Sequence, residues 1–336
     1  MSTEKRNENF MLKQSRYSKG KKNVKQYSKN NASKKSGSGK NSYNAYYKKN
    51  DDGFQPKSNG KSNYGKKKYP SKSKGYPKKN AQKPSIKIAF LGGLNEIGKN
   101  ITLVECENDI IIIDCGMAFP DGDMLGVDLV IPDFTYIEQN ADRVKGIILT
   151  HGHEDHIGGL PFLLSKVNVP IYGTPLTLGL VGNKLKEHSL YNQSQLNVIN
   201  AGQSIKLGCM KIDFIHVNHS IPDAVAFAIH TPGGTIVHTG DFKIDCTPIT
   251  GDMIDLSSFA RVGDEGVLAL LSESTNAERP GYTPTERTVS DSLDNLFKSA
   301  ENYRIIIATF ASNVNRVQQI IDCAEKYGRK VAFSGR

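Results

Sequence analysis

No stretch of this 336-residue chain approaches the roughly 18 apolar residues of a membrane-crossing helix. Its amino terminus has no apolar core, which argues against a secretory signal. Cysteine is sparse: Cys106, Cys115, Cys209, Cys246 and Cys323 are scattered, with no CxxC pair. That argues against a disulfide framework and for a reducing, cytoplasmic location with no membrane partner. Residues 1–84 contain no histidine and almost no Val, Ile or Leu. Too little apolar surface is available there to offset ordering entropy, so this segment is expected to be disordered.

The net charge of +10 hides a division. Residues 1–84 carry 24 of the 44 Lys and Arg but only 4 of the 34 Asp and Glu, a net of +20. The remainder holds 20 basic and 30 acidic residues, a net of −10. Eight tyrosines, from Tyr17 to Tyr76, are interleaved with the basic-segment lysines. Lysines release counterions from phosphates and tyrosines stack on unpaired bases, which suits an RNA-tethering arm. A solvating extension or a docking segment for another protein fits the same composition.

The densest chemistry is His151-Gly152-His153-Glu154-Asp155-His156, directly after the apolar run Gly146-Ile147-Ile148-Leu149. The apolar run reads as a buried strand, and the motif begins where it ends. His151 and His153, two apart, face the same way in extended backbone and suit one ion. Asp155 and His156 follow a turn later and suit a second. Imidazole and carboxylate favour zinc, with manganese or iron as alternatives. Further ligands are expected at the ends of other apolar runs: Asp114 after Ile110–Ile113, His219 after 210–217, and Asp241 after 235–240. An Asp after a strand is also an ordinary turn residue. Cys115, beside Asp114, reads as a small buried residue rather than a ligand. The Gly92-Gly93 pair lacks the full G-x-G-x-x-G and reads as a hairpin turn near the site, not a nucleotide loop.

The ordered set Asp114, HxHxDH, His219, Asp241 resembles the metallo-β-lactamase superfamily. Several segments narrow the resemblance to bacterial ribonuclease J: Phe90 through Asn100, Asp114 through Pro120, His151 through Pro161, His219 through Asp223 and His238 through Lys243. Leu271 through Asn276 and Thr309 through Asn313 are similar to the start of that family's β-CASP domain. The resemblance covers roughly residues 85–336. It implies an αββα sandwich over residues 85–265, then the first part of an α/β β-CASP domain with parallel strands over residues 266–336.

What the resemblance implies for function is a metal-dependent ribonuclease, with 5′-to-3′ exonuclease and endonuclease action in RNA processing and decay. Two divalent ions, zinc or else manganese, would share a hydroxide and clamp the phosphodiester. By motif position His151, His153 and His219 hold one ion, Asp155 and His156 the other, and Asp241 bridges them. Asp155 and Asp241 are thereby the catalytic carboxylates, and Asp114 orients the ligand histidines. Ser312 and Asn313 suit a 5′-monophosphate contact at a helix start, or simply a helix cap. Glu273 matches the acidic first β-CASP motif. The implied partners are 5′-monophosphorylated RNA and, in the family, a second copy or a paralogue. No histidine follows His238, so the resemblance implies a truncated chain one ligand short at the second ion, weakly active or inactive. Competing classes are a small-molecule metallohydrolase and an inactive RNA-binding fragment. Asp121, Asp123 and Asp128 read as a solvated loop, His238 as a sheet histidine, and His188, His216 and His230 carry no expected role.

Strand-like runs at 86–91 and 102–104 precede the motif, and helices are expected after Gly158 and over 176–188. The carboxyl-terminal part reads as a separate unit. Its expected elements are a buried strand at 267–271, a helix opened by a capping box of Thr283, Pro284 and Glu286, and a strand at 305–308. A second helix ending at Gly328 and a strand from Lys330 to Phe333 complete a parallel sheet.

Overall fold

The structure is a computed structural model, and it describes residues 83–335. The expectations for the basic amino-terminal segment fall outside the described residues.

Two sheets make the core. The first begins with β1 (Ile86–Gly92), β2 (Ile101–Cys106) and β3 (Asp109–Ile113), an antiparallel meander. Helix α1 (Thr135–Gln139) leads into β4 (Val144–Ile148), which pairs parallel with β3. The metal-motif segment follows as α2 (Glu154–Ile157), then α3 (Leu160–Leu164). Strand β5 (Ile171–Gly173), helix α4 (Pro175–Glu187) and strand β6 (Leu196–Val198) complete a six-stranded sheet in sequential order. The second sheet has five strands. In chain order these are β7 (Ser204–Leu207), β8 (Met210–His216), β9 (Val225–Thr231), β10 (Gly234–His238) and, after helix α5 (Leu256–Glu265), β11 (Ala269–Leu271). Helices α6 (Arg287–Ser299) and α7 (Val314–Lys326) come last.

The isoleucine run at β3 shows why the sheets stack. Side chains alternate along a strand. Ile110 and Ile112 enter a core shared with Leu160, Leu163 and Val181, beneath the helices. Ile111 and Ile113 enter a second core with Phe227, Ile229 and Ile236, between the sheets. A strand covered on both faces needs a continuous apolar run, and each such isoleucine is worth about 1.5–3 kcal/mol when buried. A third cluster packs Ala226, Ala228 and Val237 of the second sheet against Val262 of α5. The layering is therefore αββα, as expected.

The carboxyl-terminal expectations need correction in detail. β11 is the parallel edge strand of the second sheet, beside β10, not the buried start of a separate unit, and Leu270 is exposed. Residues 305–308 and 330–333 form no strand. Among the described residues they have no ladder partner, and Ile306 and Phe333 are exposed. Periodicity alone does not make a strand, because every ladder hydrogen bond must come from a neighbouring strand. The two helices do form, and Val289, Leu293 and Phe297 of α6 meet Ile320 and Ala324 of α7. The capping box does not: α6 opens at Arg287 without a side-chain cap. Glu286 instead accepts from Lys243 at 3.0 Å and from Arg316 at 2.8 Å. A pair of full charges outcompetes a single backbone N–H for that carboxylate.

Candidate metal centre

The parallel β3–β4 pair delivers Asp114 and Thr150–His151 side by side at one sheet edge. Asp114 is buried and left-handed (φ 60°), a conformation its short polar side chain tolerates. Its Oδ1 accepts from the Thr150 N–H at 2.8 Å and its Oδ2 from the Thr150 hydroxyl at 2.8 Å. Oδ2 also lies 2.8 Å from His156 Nδ1. With the Thr150 proton committed to Asp114, His151 Nδ1–H donates to the Thr150 oxygen, 3.0 Å away. Both imidazoles are thus fastened by Nδ1, and their Nε2 atoms are the free ligand positions.

The segment bearing His156 is docked by backbone. Cys115 N–H donates to the His156 carbonyl at 2.8 Å, and Asn100 N–H to the Asp155 carbonyl at 3.0 Å. Only glycine fits at position 116, where a Cβ would lie 1.6 Å from the Asp155 carbonyl oxygen.

Two groups of three donors result: His151, His153 and His219, and His151, His156 and Asp241, with donor atoms within 4.8 Å of one another in each. His153 Nδ1 stands 3.0 Å from His151 Nε2 and 3.2 Å from His219 Nε2. Asp241 reaches His156 Nε2 at 3.5 Å and His219 Nε2 at 3.8 Å, so its carboxylate lies between the groups. Asp155 is adjacent, 3.5 Å from His156 Nε2, but joins neither group. His151 belongs to both, whereas motif position assigned it to one.

Electrostatics suit a cation. Burial lowers the pKa of His151 and His153 and brings His219 down to about 4, leaving neutral imidazoles. Burial alone would lower His156 and raise Asp241. Their partners win: Asp114 and Asp241 hold His156 well above its ordinary value, and His156 holds Asp241 at about 2. Without an ion, then, His156 carries charge that a metal would replace. Buried donors this dense, with the far nitrogens tied down, fit two divalent ions.

An open cleft of about 870 Å³ abuts the cluster, lined by Phe90, Ile97, His156, Asp241, Glu273 and neighbours. The Gly92–Gly93 turn forms one wall, as expected. No lysine or arginine lines the cleft among the described residues. Glu273 faces it, its Oε2 accepting from the Thr275 N–H. His238 is the last residue of β10, and its Nδ1 accepts from the Gly240 N–H. Asn313 is the N-cap of α7, its side chain accepting from the Arg316 N–H at 3.0 Å. The Ser312 carbonyl lies 3.2 Å from His153 Nε2. Cys115 is fully buried, which pushes its thiol up, and it joins no donor group. His188 packs on Phe162, His216 contacts the Asp252 carbonyl, and His230 pairs with Asp213, all away from the centre. Asp121, Asp123 and Asp128 are exposed.

Two residues that the spacing left without a role belong here. Thr150 is the hub of the Asp114–His151–His156 network, and its position directly before the motif was the available signal. Asn100 donates from Nδ2 to the Asp155 carbonyl at 3.1 Å and sits 3.2 Å from His156 Nε2. Nothing in its own spacing marks it.

The family model of the metallo-β-lactamase superfamily matches residues 94–283, and that of the ribonuclease J β-CASP domain matches residues 302–336. Ribonuclease J2 of Bacillus subtilis is 47% identical over 259 residues, covering 77% of this chain and 46% of that protein. Ribonuclease J of Helicobacter pylori strain J99 is 48% identical over 255 residues, covering 76% of this chain and 37% of that protein. The chain thus spans less than half the length of these relatives. A protein of unknown function from Enterococcus faecalis V583 shares the fold, with a TM-score of 0.55 at 18% identity, over 75% of this chain and 71% of that one. With one family model spanning more than half of its residues, and with the site's ligand order in place, this chain belongs to the metallo-β-lactamase superfamily.

Proposed function

We propose that this chain is the catalytic portion of a metal-dependent ribonuclease of the ribonuclease J type, hydrolysing RNA phosphodiester bonds as a 5′-to-3′ exonuclease and endonuclease. The observation that carries the proposal is the pair of three-donor groups at the head of a cleft that, among the described residues, has no lysine or arginine. Zinc or manganese held there would neutralise the phosphate and lower the pKa of an attacking water.

The chain's own residues do the rest. His151, His153 and His219 would hold one ion, and His156 and Asp241 with the shared His151 the other, Asp155 standing beside His156. Asp241 remains ionised far below neutral pH, so it is available as a ligand. Asp114 and Thr150 hold the imidazoles with Nε2 toward the cleft. Asn100 keeps the Asp155–His156 segment against the turn. A 5′-monophosphate contact is assigned to the Ser312–Asn313 turn, and a contact in the cleft to Glu273, which lines it. The sequence and the relatives' names favour RNA as partner, processing and decay as the setting, and the cytoplasm as location. No helix among the described residues is long and apolar enough to cross a membrane.

Incubation of the purified chain with 5′-monophosphorylated RNA, with and without chelator, tests this reading. Weak, chelator-sensitive release of fragments carrying 5′-phosphates is expected. Phosphodiester cleavage that survives removal of all metal overturns it. Hydrolysis of a lactone or thioester with no action on RNA transfers the site to a small-molecule hydrolase.

A further inference from the structure

The carboxyl-terminal helices touch the metal centre in three places, none of which a ligand motif announces. The Ser312 carbonyl lies 3.2 Å from His153 Nε2. Asn315, in the first turn of α7, donates from Nδ2 to the His219 carbonyl at 3.4 Å. Glu286, before α6, binds Lys243 at 3.0 Å, and the Lys243 N–H donates to the Asn218 carbonyl at 2.8 Å. Arg316 locks Glu286 from α7 at 2.8 Å. Each contact ends on a ligand or one or two residues from one: His153, His219, and the loops of His219 and Asp241.

The atoms involved are informative. His153 turns Nδ1 toward His151 and His219, so Nδ1 is its ligand atom and Nε2 carries the proton. A backbone carbonyl on Nε2–H fixes that tautomer and the ring plane, the role that Asp114 and Thr150 play for His156 and His151. His219 lies on the loop after β8, half-buried, with its Nε2 toward His153 and Asp241 and, among the described residues, no side chain hydrogen-bonded to its Nδ1. Asn315 holds its backbone, and the Asn315 amide is itself oriented: Thr250 donates to its Oδ1 at 2.9 Å, which leaves Nδ2 for His219.

We infer that the start of α7 is a positioning element of the metal centre, with Asn315 as its key side chain, so that the carboxyl-terminal helices set the affinity and geometry of the His151–His153–His219 site. The inference rests on the metal-centre reading above. Asn315 touches no ion and no substrate; it acts through His219. Deleting a partner bonded to a ligand side chain commonly costs 10–100-fold in metal affinity. Asn315 holds the His219 backbone at 3.4 Å, so Asn315→Ala should cost less, about three- to tenfold.

The test is titration of the full metal-free chain with Co2+, reading visible absorption, together with competition for Zn2+ against a chromophoric chelator. Asn315→Ala is compared with Thr250→Val, with the double variant, and with Asp294→Asn. The last removes an α6–α7 ion pair with Lys326, remote from every ligand, and reports general loosening of the helices. Expected are a weakened Zn2+ site and an altered Co2+ spectrum in Asn315→Ala, a smaller effect in Thr250→Val, and a double variant no worse than Asn315→Ala. Asp294→Asn should lower the melting temperature and leave spectrum and affinity unchanged. An Asn315→Ala chain with unchanged spectrum and affinity overturns the inference while the metal centre stands. Equal weakening by Asp294→Asn overturns it in favour of simple stability. A chain that binds neither ion overturns both readings.

Discussion

Asp114 is where residue-scale chemistry is most concentrated. One buried carboxylate takes a backbone N–H, a hydroxyl and an imidazole, and so orients two histidines through Thr150 and His156. Asp114→Asn keeps the left-handed backbone and the size but cannot accept from all three donors. Metal affinity measured by chelator competition should fall about 10–100-fold with the circular-dichroism spectrum retained. An unchanged affinity would show that the ring orientations do not depend on it. The double variant His151→Ala, His153→Ala removes the shared ligand and its neighbour. Elemental analysis of untagged protein should then show the near-stoichiometric zinc or manganese lost, and metal content equal to wild type would reject these ligands.

At the scale of elements, one carboxylate ties together the outer face of the first sheet. Glu105 on β2 takes Lys87 of β1 at 2.9 Å, Arg143 at 2.8 Å and the Tyr136 hydroxyl of α1 at 2.8 Å. The Lys87 bond, helped by Arg143 and Tyr136 and opposed by burial, lowers its pKa from 4.5 to about 2. The folded pKa lies below the unfolded one. The stabilisation is therefore fully present above about pH 4.5 and is lost as pH falls toward 2. Glu105→Gln should cost roughly 1.5–3 kcal/mol at pH 7, the range for hydrogen bonds to charged groups. Urea unfolding at pH 7 and pH 3 should show the gap to wild type narrowing at the lower pH, and a constant gap would rule out the ionised carboxylate as its source. Elements also explain the failed capping box. Thr283, Pro284 and Glu286 have the right spacing, yet Glu286 is drawn to Lys243 and Arg316 from distant parts of the chain.

On the scale of the whole molecule, charge distribution dominates. A basic segment of net +20 precedes a body of net −10 whose cleft carries no lysine or arginine among the described residues. Such a body repels a polyanion at long range, and a tethered cationic arm would raise the local RNA concentration. Deleting residues 1–84 should weaken RNA binding at low salt and flatten its salt dependence, since single-strand binding loses about 0.7 log units per phosphate contacted for each decade of salt. Cleavage at saturating RNA should change little. Filter binding across a salt series reads both quantities. If affinity and slope survive the deletion, the segment serves as a spacer or protein-docking element instead.

Most of the converging donor groups were legible in the chain because chemistry there is local, although Asp155 joins neither of them. Four donors occur within six residues after an apolar run, and distant carboxylates and a histidine end other apolar runs. The two-sided burial of Ile110–Ile113 was legible for the same reason, since a strand's period reports its faces. What no local pattern contained was pairing. The strand at 269–271 joined β10 at the edge of the second sheet, while 305–308 and 330–333 pair with no strand among the described residues. The sharing of His151 between two donor groups, the fastening of Nδ1 by Thr150, and the reach of Asn315 to His219 across 96 residues are likewise matters of spatial convergence. Residue type and spacing determine which atoms are able to bind a metal. Only packing decides which of them meet, because hydrogen bonds and ion pairs depend on separation in space rather than along the chain.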